Sequence, residues 1–198
     1  MALSQTLLNG QRPEWALIRS HPTETNRHNG PPNAYYGIQI AGGKVPAVVK
    51  TAELLTQLCS TGIDTIDLNC GCPLDMVCRA GAGSMLLENQ GRLMKMVRGM
   101  ATVTGDIPVT CKIRMGWSNN KNTAAKLVKR LVTENTGVSA ITLHGRSRAQ
   151  RYSRAADWEY IAECAAVIKR AKAEIADATD SSHQSLEHGL QQDVAFIG

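Results

Sequence analysis

The segment that ends at Pro73 is the part of this sequence whose residue types most clearly suggest chemistry. A strand-like run leads into it, and the whole stretch reads Ile66-Asp67-Leu68-Asn69-Cys70-Gly71-Cys72-Pro73. The glycine and the proline indicate a turn directly after the strand. Cys72 is therefore predicted to lie in a loop at the carboxyl end of a strand, which is where parallel α/β folds bind ligands and place their active sites.

Two alternatives for these cysteines stay open at the level of the sequence. Cys70, Cys72 and Cys78 could bind a metal ion, but no second cysteine pair and no nearby histidine complete such a cluster. Cys72 could also be an inert thiol in the core, since free cysteine is among the most buried residue types. Cys70 continues the strand pattern and is predicted to pack in the core. No metal site is predicted.

Polar side chains also close three other predicted strands. They are Gln39 on the first, Lys112 with Arg114 on the third, and His144 with the following Arg146 on the fourth. Lys112 and Arg114 are two residues apart, so both point to the same face of their strand. An ammonium ion is costly to bury without a partner, and an internal ion pair with Asp67 is one explanation for Lys112. The four strand ends together favour a cofactor lying across the mouth of a parallel barrel.

Two further stretches could contact a ligand. Residues 79–84, Arg-Ala-Gly-Ala-Gly-Ser, match neither a P-loop nor a dinucleotide-binding fingerprint. Their glycines are predicted to let the backbone pass close to a ligand or turn into the next helix. Four arginines then lie close together, at Arg146, Arg148, Arg151 and Arg154. Arginine suits phosphate oxygens, so this loop predicts contact with a nucleic-acid backbone, the alternative being a solvated loop.

Strands and helices alternate along the chain in a way that would bring these groups to one edge of a sheet. The predicted strands are residues 35–40, 63–69, 108–115, 138–144 and 194–198. The predicted helices are 44–59, 88–101, 123–135 and 157–173, and residues 176–192 are predicted to form a polar loop insertion. Strands separated by such helices indicate βαβ units. The predicted fold class is therefore α/β, an incomplete (β/α)8 TIM barrel with about five parallel βα units.

Composition limits the classes of protein to which the chain can belong. Of its 198 residues, 43% are hydrophobic and 20% are charged, which excludes intrinsic disorder. No apolar run approaches the roughly 18–20 residues of a membrane helix, and no export signal is found, so the cysteines are predicted to be cytosolic thiols. Residues 111–172 carry 13 Lys and Arg against four acids, which suggests a polyanionic partner. The alternative is a solvated helix face carrying Lys121, Lys126, Lys129 and Arg130.

Four motifs, in order along the chain, resemble the tRNA-dihydrouridine synthases. They are Asp67-Leu-Asn-Cys-Gly-Cys72-Pro, Arg79-Ala-Gly-Ala-Gly-Ser84, Lys112-Ile-Arg-Met-Gly-Trp117 and Leu143-His-Gly-Arg-Ser-Arg148. Residues 145–161, with Gln150-Arg-Tyr and Ala156-Asp-Trp158, are similar to the eukaryotic subfamily that acts at position 47 of tRNA. The resemblance extends from about residue 36 to residue 164.

This resemblance implies an oxidoreductase that reduces a uridine in tRNA to 5,6-dihydrouridine, with FMN as cofactor and NADPH as reductant. It implies that Cys72 is the catalytic proton donor, and that Gln39, Lys112 and His144 bind FMN. Five residues are implied in substrate binding, the last three at tRNA phosphates: Asn69, Arg114, Arg146, Arg148 and Arg151. A thiol suits the reaction, because it can protonate C5 of the base after hydride has reached C6.

Compared with this family, the sequence is expected to be a fragment. Residues 1–198 are predicted to form part of a flavin-binding TIM-barrel catalytic domain, with residues 1–3 similar to the end of its second strand. Counterparts of the first strand, the eighth strand and the helical tRNA-binding domain are not recognised, and weak flavin binding is expected. The expected location is the cytoplasm, with the nucleus as a further compartment, and no membrane contact is expected.

Two other functions remain open at this point. A small-molecule FMN oxidoreductase of the dihydroorotate dehydrogenase type also places a cysteine or serine beside the flavin ring, although the arginines after His144 argue against it. The other alternative is an inactive, truncated remnant that binds RNA or another partner.

Overall fold

Six parallel strands form one sheet in the computed structural model, which describes residues 1–21, 34–59, 62–180 and 194–198. They are β1 (Ala2–Leu3), β2 (Gly37–Ala41), β3 (Thr65–Cys70), β4 (Val109–Arg114), β5 (Val138–His144) and β6 (Ala195–Ile197). Their order in the sheet is their order in the chain, and each neighbouring pair is parallel. Within the described residues the sheet does not close on itself.

Helices alternate with these strands. They are α1 (Ser4–Leu8), α2 (Arg12–Ala16), α3 (Val45–Cys59), α4 (Asp75–Arg79), α5 (Gln90–Val103), α6 (Ala124–Thr133), α7 (Trp158–Asp180) and one 3-10 helix (Gly83–Glu88). None of the helices in the described part of the chain is long and apolar enough to cross a membrane. The alternation and the parallel pairing confirm the predicted α/β class, and they match part of a (β/α) barrel.

One face of the sheet is apolar, because every second strand residue is a buried hydrophobic side chain. These residues are Ile38, Ile40, Ile66, Leu68, Cys70, Val109, Cys111, Ile113, Ile141 and Leu143. They belong to the same core cluster as the apolar stripes of the helices, for example Val48, Ala52 and Leu55 of α3. Full burial of such a side chain contributes about 1.5–3 kcal/mol. The core therefore forms on this face, and the polar strand residues are left on the other.

The predicted elements agree with the structure except at one helix end and in the shortest elements. Helix α7 continues to Asp180, so the loop insertion predicted for 176–192 is wrong for residues 176–180, and residues 181–193 lie outside the described residues. Alanines and glutamate after residue 170 are strong helix formers, which explains the extension. The pattern did not predict β1, the 3-10 helix or the short helices α1, α2 and α4, because a strand of two residues and helices of five or six residues hold too little periodicity.

Candidate active site

The polar face of the sheet brings most of the predicted site residues together. In the strand register, Gln39, Asp67 and Thr110 lie at one level, Asn69, Lys112 and Thr142 at the next, and Arg114 with His144 at the last. Residues paired in this way in parallel strands point to the same face. Five predicted site residues therefore share one face near the carboxyl ends of β2 to β5. Their roles in binding and catalysis stay predictions.

A continuous set of hydrogen bonds joins three strands on this face. The Asp67 carboxylate accepts from Thr110 Oγ1 at 2.7 Å and from Gln39 Nε2 at 2.7 Å. Gln39 Oε1 in turn accepts from Asn69 Nδ2 at 2.8 Å. Burial raises the pKa of the Asp67 carboxyl, while the hydrogen bonds from Thr110 and Gln39 and the charge of Lys112 oppose that change. Each of these polar groups is thus held by its neighbour on the next strand.

The loop that carries Cys72 is held by hydrogen bonds to the backbone groups of both Gly71 and Cys72. Asn69 Oδ1 accepts from the backbone N–H of Gly71 at 3.2 Å and from that of Cys72 at 2.9 Å. The Gly71 carbonyl accepts from Arg114 Nε at 2.8 Å. The Cys72 carbonyl accepts from both the N–H and the hydroxyl of Ser84, each at 3.0 Å. The N–H and carbonyl groups of Gly71 and Cys72 are therefore all hydrogen-bonded, and these bonds fix the position of the Cys72 Cα.

The glycine-rich stretch at residues 79–84 supports this loop. Gly83 has a φ of +60°, and a Cβ there would lie 2.7 Å from the Cys72 carbonyl oxygen. Only glycine fits such a conformation and such a close approach without strain. Ser84, the next residue, is fully buried and supplies the two hydrogen bonds to Cys72. The backbone of this stretch passes close to the cysteine loop at Gly83 and close to Gly43 at Ala80. The predicted approach to a ligand stays a prediction.

Lys112 and Asp67 do not form an ion pair. The sequence had offered such a pair as one explanation for a lysine within a strand. The Lys112 side chain is exposed on the open face, and no carboxylate of the described residues pairs with it. Both Asp67 oxygens are already used by Thr110 and Gln39. Lys112 therefore places a cation in the middle of the polar face, with no carboxylate partner in the part of the chain that the structure describes.

His144 closes β5 beside two arginines and a tyrosine. Its Nε2 lies 3.0 Å from Arg146 Nη1, and its ring centroid is 6.0 Å from that of Tyr152. Burial lowers the pKa of His144 to about 4, with the nearby charges of Arg114, Arg146 and Lys112 acting in the same direction. The imidazole is therefore neutral at pH 7, and it can exchange hydrogen bonds without adding positive charge.

Arg114 lies under the loops rather than on the open face. Its side chain is 2% exposed, and Nη1 donates to the carbonyls of Ser147 at 2.9 Å and Arg151 at 3.0 Å. The guanidinium carbon is also 5.4 Å from the centroid of the Tyr152 ring. Together with its bond to the Gly71 carbonyl, these contacts make Arg114 a clamp between the cysteine loop and the loop after β5. The predicted contact of Arg114 with substrate is untested.

The arginines after β5 form what we call the arginine loop, residues 145–157. Arg148 and Arg151 both pair with the carboxylate of Asp75, the latter at 3.4 Å, and Arg148 lies 4.5 Å above the centroid of the Trp117 ring. Arg146 donates to the backbone carbonyl of Arg154. The Arg151 side chain remains 54% exposed. The loop after β5 thus carries three basic groups, two of which pair with one carboxylate.

Cys70 packs in the core, as the sequence predicted. Cys70 is fully buried on the apolar face, whereas Cys72 is partly exposed. An inert core thiol therefore describes Cys70 and not Cys72. Among the described residues, no group of three or more His, Cys, Asp or Glu is arranged to hold a metal ion.

Several contacts of the site were missed by sequence reasoning. They involve Thr110, Asp75, Ser84, Trp117 and Tyr152. Ser84, Trp117 and Tyr152 belong to motifs noticed in the sequence, but the partners of the five residues in these contacts lie between 12 and 73 positions away along the chain. Asp75 is the clearest example, since Arg148 is 73 positions further on.

The sheet and the polar side chains at its edge indicate the class of this protein. Parallel strands that alternate with helices, with polar side chains gathered at their carboxyl ends, are the architecture of a (β/α)-barrel domain that binds ligands at that edge. The chain belongs to the dihydrouridine synthase family, whose model matches residues 16–174. This confirms the family suggested by the motifs.

Curated relatives share the family and are considerably longer. A tRNA-dihydrouridine(47) synthase [NAD(P)(+)] of Coprinopsis cinerea is 46% identical over 174 residues, which cover 88% of this chain and 24% of the relative. The enzyme of the same name from Schizosaccharomyces pombe is 45% identical over 182 residues, covering 92% and 29%. That of Neosartorya fischeri is 43% identical over 222 aligned positions, covering 100% and 30%. The chain therefore spans about a quarter to a third of the length of these relatives.

Proposed function

We propose that the protein represented by this chain reduces a uridine in tRNA to 5,6-dihydrouridine, with NADPH as the source of electrons. Membership of the dihydrouridine synthase family supports this proposal. So do the names of the relatives, which also suggest position 47 of tRNA as the target. The single observation that carries the assignment to these residues is the partly exposed thiol of Cys72, on a loop held by Asn69, Arg114 and Ser84.

FMN is the cofactor that the resemblance implies, and the polar face offers groups that fit it. Lys112 is an exposed cation without a carboxylate partner among the described residues, so it can stabilise negative charge on a reduced flavin ring. Gln39 keeps one amide hydrogen and one lone pair beyond its bonds to Asp67 and Asn69. The neutral His144 can add a further hydrogen bond. When bound, FMN would supply the hydride that adds to C6 of the uridine.

In this proposal the protein contributes three things: the Cys72 thiol as the acid, the hydrogen-bonded loop that holds this thiol in place, and a surface that binds the substrate. Hydride addition at C6 leaves negative charge on C5 and the O4 carbonyl of the base, and the Cys72 thiol donates the proton that C5 then takes. The thiolate regains its proton from water, which restores the acid, and NADPH would return the two electrons to the cofactor for the next turnover. Because the base must leave its stack to reach the thiol, the protein also has to hold a flipped nucleotide.

The arginine loop is the surface proposed to hold tRNA. Arg146, Arg148 and Arg151 are assigned to backbone phosphates, which guanidinium groups bind in pairs of hydrogen bonds. Asn69 and Arg114 are assigned to the substrate, Arg114 through the loops that it clamps. The proposed location of the protein is the cytoplasm, with the nucleus as a further compartment.

Replacing Cys72 by Ala tests the chemistry directly. The chain would be assayed by itself and in place of the matching 182-residue segment of the S. pombe relative, with dihydrouridine measured in tRNA and in free uridine. We expect Cys72→Ala to lower dihydrouridine formation by about 10²–10⁴-fold, the usual contribution of a general acid. Flavin absorbance of the purified protein should not change, because the thiol is not assigned to cofactor binding.

The matched control is Cys59→Ala, which removes the other partly exposed thiol from the end of α3. It should keep parental activity. Full activity of Cys72→Ala would remove the thiol from the mechanism. A flavin-loaded parent protein that leaves tRNA unmodified would contradict the proposed reaction itself, and turnover of free uridine alone would point to a small-molecule enzyme.

A further inference from the structure

Asp67 is the central member of the hydrogen-bonded set on the polar face, although no role has been assigned to it so far. Its two carboxylate oxygens have different partners on different strands. Oδ1 accepts from Thr110 on β4 and Oδ2 from Gln39 on β2, both at 2.7 Å. The residue lies in the strand register directly between these two partners. The side chain therefore ties β2, β3 and β4 together at this level.

These bonds settle the orientation of two amides that could otherwise be reversed. A carboxylate only accepts hydrogen bonds, so the Gln39 group that faces Asp67 must be the Nε2 amide. Gln39 Oε1 then faces Asn69 and can only accept, which requires Asn69 Nδ2 on that side. Asn69 Oδ1 is thereby turned toward the backbone N–H groups of Gly71 and Cys72. Reversing either amide would place like groups face to face.

We propose that Asp67 is a positioning residue, which fixes the amide of Gln39 and, through Gln39 and Asn69, the backbone that carries Cys72. This inference rests on the proposed function for the roles of Gln39 and Cys72. Among the described residues, Asp67 makes no direct hydrogen bond to the cysteine loop. It acts through a chain of donors and acceptors that starts at Thr110 and ends at the Cys72 N–H.

A different role for Asp67 would be to balance the charge of Lys112. The geometry argues against this role, because Lys112 lies one level further along the strands, in register with Asn69. The Lys112 ammonium is exposed, while the carboxylate oxygens are engaged elsewhere. The two roles differ in what they need from residue 67: positioning needs hydrogen bonds of the right polarity, and charge balance needs the negative charge.

Asparagine and leucine at position 67 separate these roles. In Asp67→Asn, the side-chain oxygen can still accept from Gln39, and the new amide can donate to the Thr110 hydroxyl, which is able to accept. Asp67→Leu removes both bonds and keeps the number and branching of the heavy side-chain atoms. The readout is hydrogen exchange of the Cys72 backbone amide in the nitrogen-15-labelled full chain, followed by NMR. This amide is the last donor of the set, and no tRNA or flavin is needed.

We expect Asp67→Leu to accelerate exchange of the Cys72 amide by about fivefold to tenfold, as the loss of one net hydrogen bond predicts. Asp67→Asn should restore exchange to within about twofold of the parent. The matched control is Asp64→Leu, which removes the carboxylate that accepts from the Tyr36 N–H at 2.7 Å, just before β3 begins. It loses a similar bond at the opposite end of the strand and should leave the Cys72 amide unaffected.

A double-mutant cycle with Gln39→Leu tests the proposed route. If Asp67 acts through Gln39, the double variant should exchange no faster than Gln39→Leu alone, so the two effects are not additive. Additive effects would overturn the inference, as would unchanged exchange in Asp67→Leu. Equal acceleration in the asparagine and leucine variants would also overturn it, in favour of charge balance.

Thr110→Val provides a second variant in case the leucine does not fold. It is nearly isosteric and removes one of the two bonds to Asp67. A smaller acceleration at the same amide is expected, and no acceleration would contradict the inference. Since exchange is measured on the chain alone, the positioning role can hold in a protein that fails to reduce uridine, and it can fail in one that succeeds.

Discussion

The chemistry available at individual residues depends on which charges are present at neutral pH. The Lys112 side chain is exposed on the open face, whereas His144, which lies beside Arg114 and Arg146, is neutral. Burial disfavours the imidazolium ion, and the neighbouring cations disfavour it further. Within the described residues, the site therefore presents an ammonium group that no carboxylate pairs with and a neutral imidazole. The ammonium of Lys112 can stabilise a group that becomes negative, and the neutral imidazole of His144 can hydrogen-bond to that group without adding a second positive charge.

This arrangement predicts how His144 affects stability as the pH falls. Its pKa is about 4 in the folded chain, and the usual value in an unfolded chain is about 6.5. Between these values the unfolded chain binds a proton that the folded chain does not, so stability decreases as the pH is lowered through this window. Urea denaturation should therefore show that the free energy of unfolding falls less between pH 7 and pH 5 in His144→Asn than in the parent.

Direct titration of the ring gives the check on that prediction. The carbon-bound protons of His144 should shift in NMR spectra near pH 4, with the His144→Asn spectrum identifying the resonance. A ring that titrates near its ordinary value, or equal loss of stability in both proteins, would contradict the environment described for His144.

At the scale of elements, the loops after β3, β4 and β5 form one connected surface. The loop after β4 is joined to the arginine loop by backbone bonds, from Arg148 N to the Gly116 carbonyl at 2.9 Å and from Ala149 N to the Trp117 carbonyl at 3.1 Å. Arg114 and Asp75 connect the arginine loop to the cysteine loop and to α4. A nucleic acid that touches the arginines would therefore contact a surface coupled to the thiol.

The glycine that supports the cysteine loop can be tested against a second glycine of nearly the same conformation. Gly83 and Gly105 have φ values of +60° and +57°, but only a Cβ at Gly83 would meet other atoms, with the Cys72 carbonyl oxygen 2.7 Å away. Gly105→Ala should cost about 1 kcal/mol of unfolding free energy, for its backbone conformation alone. Gly83→Ala should cost about 2–3 kcal/mol or more, because the carbonyl must also move.

Alkylation of the thiols provides the second readout for the glycine pair. The rate at Cys72 relative to Cys59 should change in Gly83→Ala and stay parental in Gly105→Ala, as measured by mass spectrometry. Equal effects of both substitutions on stability and on the rate ratio would show that the close approach of Gly83 to Cys72 has no consequence.

For the whole molecule, the division of the sheet into two faces determines where a large ligand can bind. The apolar face is covered by helices, so the polar face and the loops at its carboxyl edge are available for a ligand. Two of the arginines at this edge, Arg148 and Arg151, are paired with the carboxylate of Asp75. A phosphate that binds Arg148 and Arg151 would therefore compete with this carboxylate.

Neutralising Asp75 is thus expected to strengthen tRNA binding. Asp75→Asn should raise affinity in filter-binding assays, while Arg151→Asn should lower it and reduce the salt slope by about 1. Asparagine suits position 151, because the backbone there has a φ of 49°. Glu53→Gln is the matched control, since it makes the same charge change on α3, where Glu53 pairs with Lys50. A rise as large in Glu53→Gln as in Asp75→Asn would indicate general electrostatics and not a phosphate site.

Much of the fold and the composition of the site followed from local patterns. Alternation in the strands and the three-and-four spacing in α3 depend only on neighbouring residues, so they predicted five strands, four helices and the polar strand ends. The position of Cys72 after β3 followed in the same way, from a strand that ends in a glycine and a proline. Short elements such as α4 escaped because their residues do not repeat a period.

Tertiary structure decided which polar groups hold one another. Arg114 reaches back 43 positions to the Gly71 carbonyl, and the carboxylate of Asp67 is occupied by Thr110 and Gln39 and not by Lys112. Ser84, at the end of a glycine motif, proved to support the thiol loop. The register of the strands and the packing of the loops bring such partners together. The spacing of residues along the chain determines neither the register nor the loop packing.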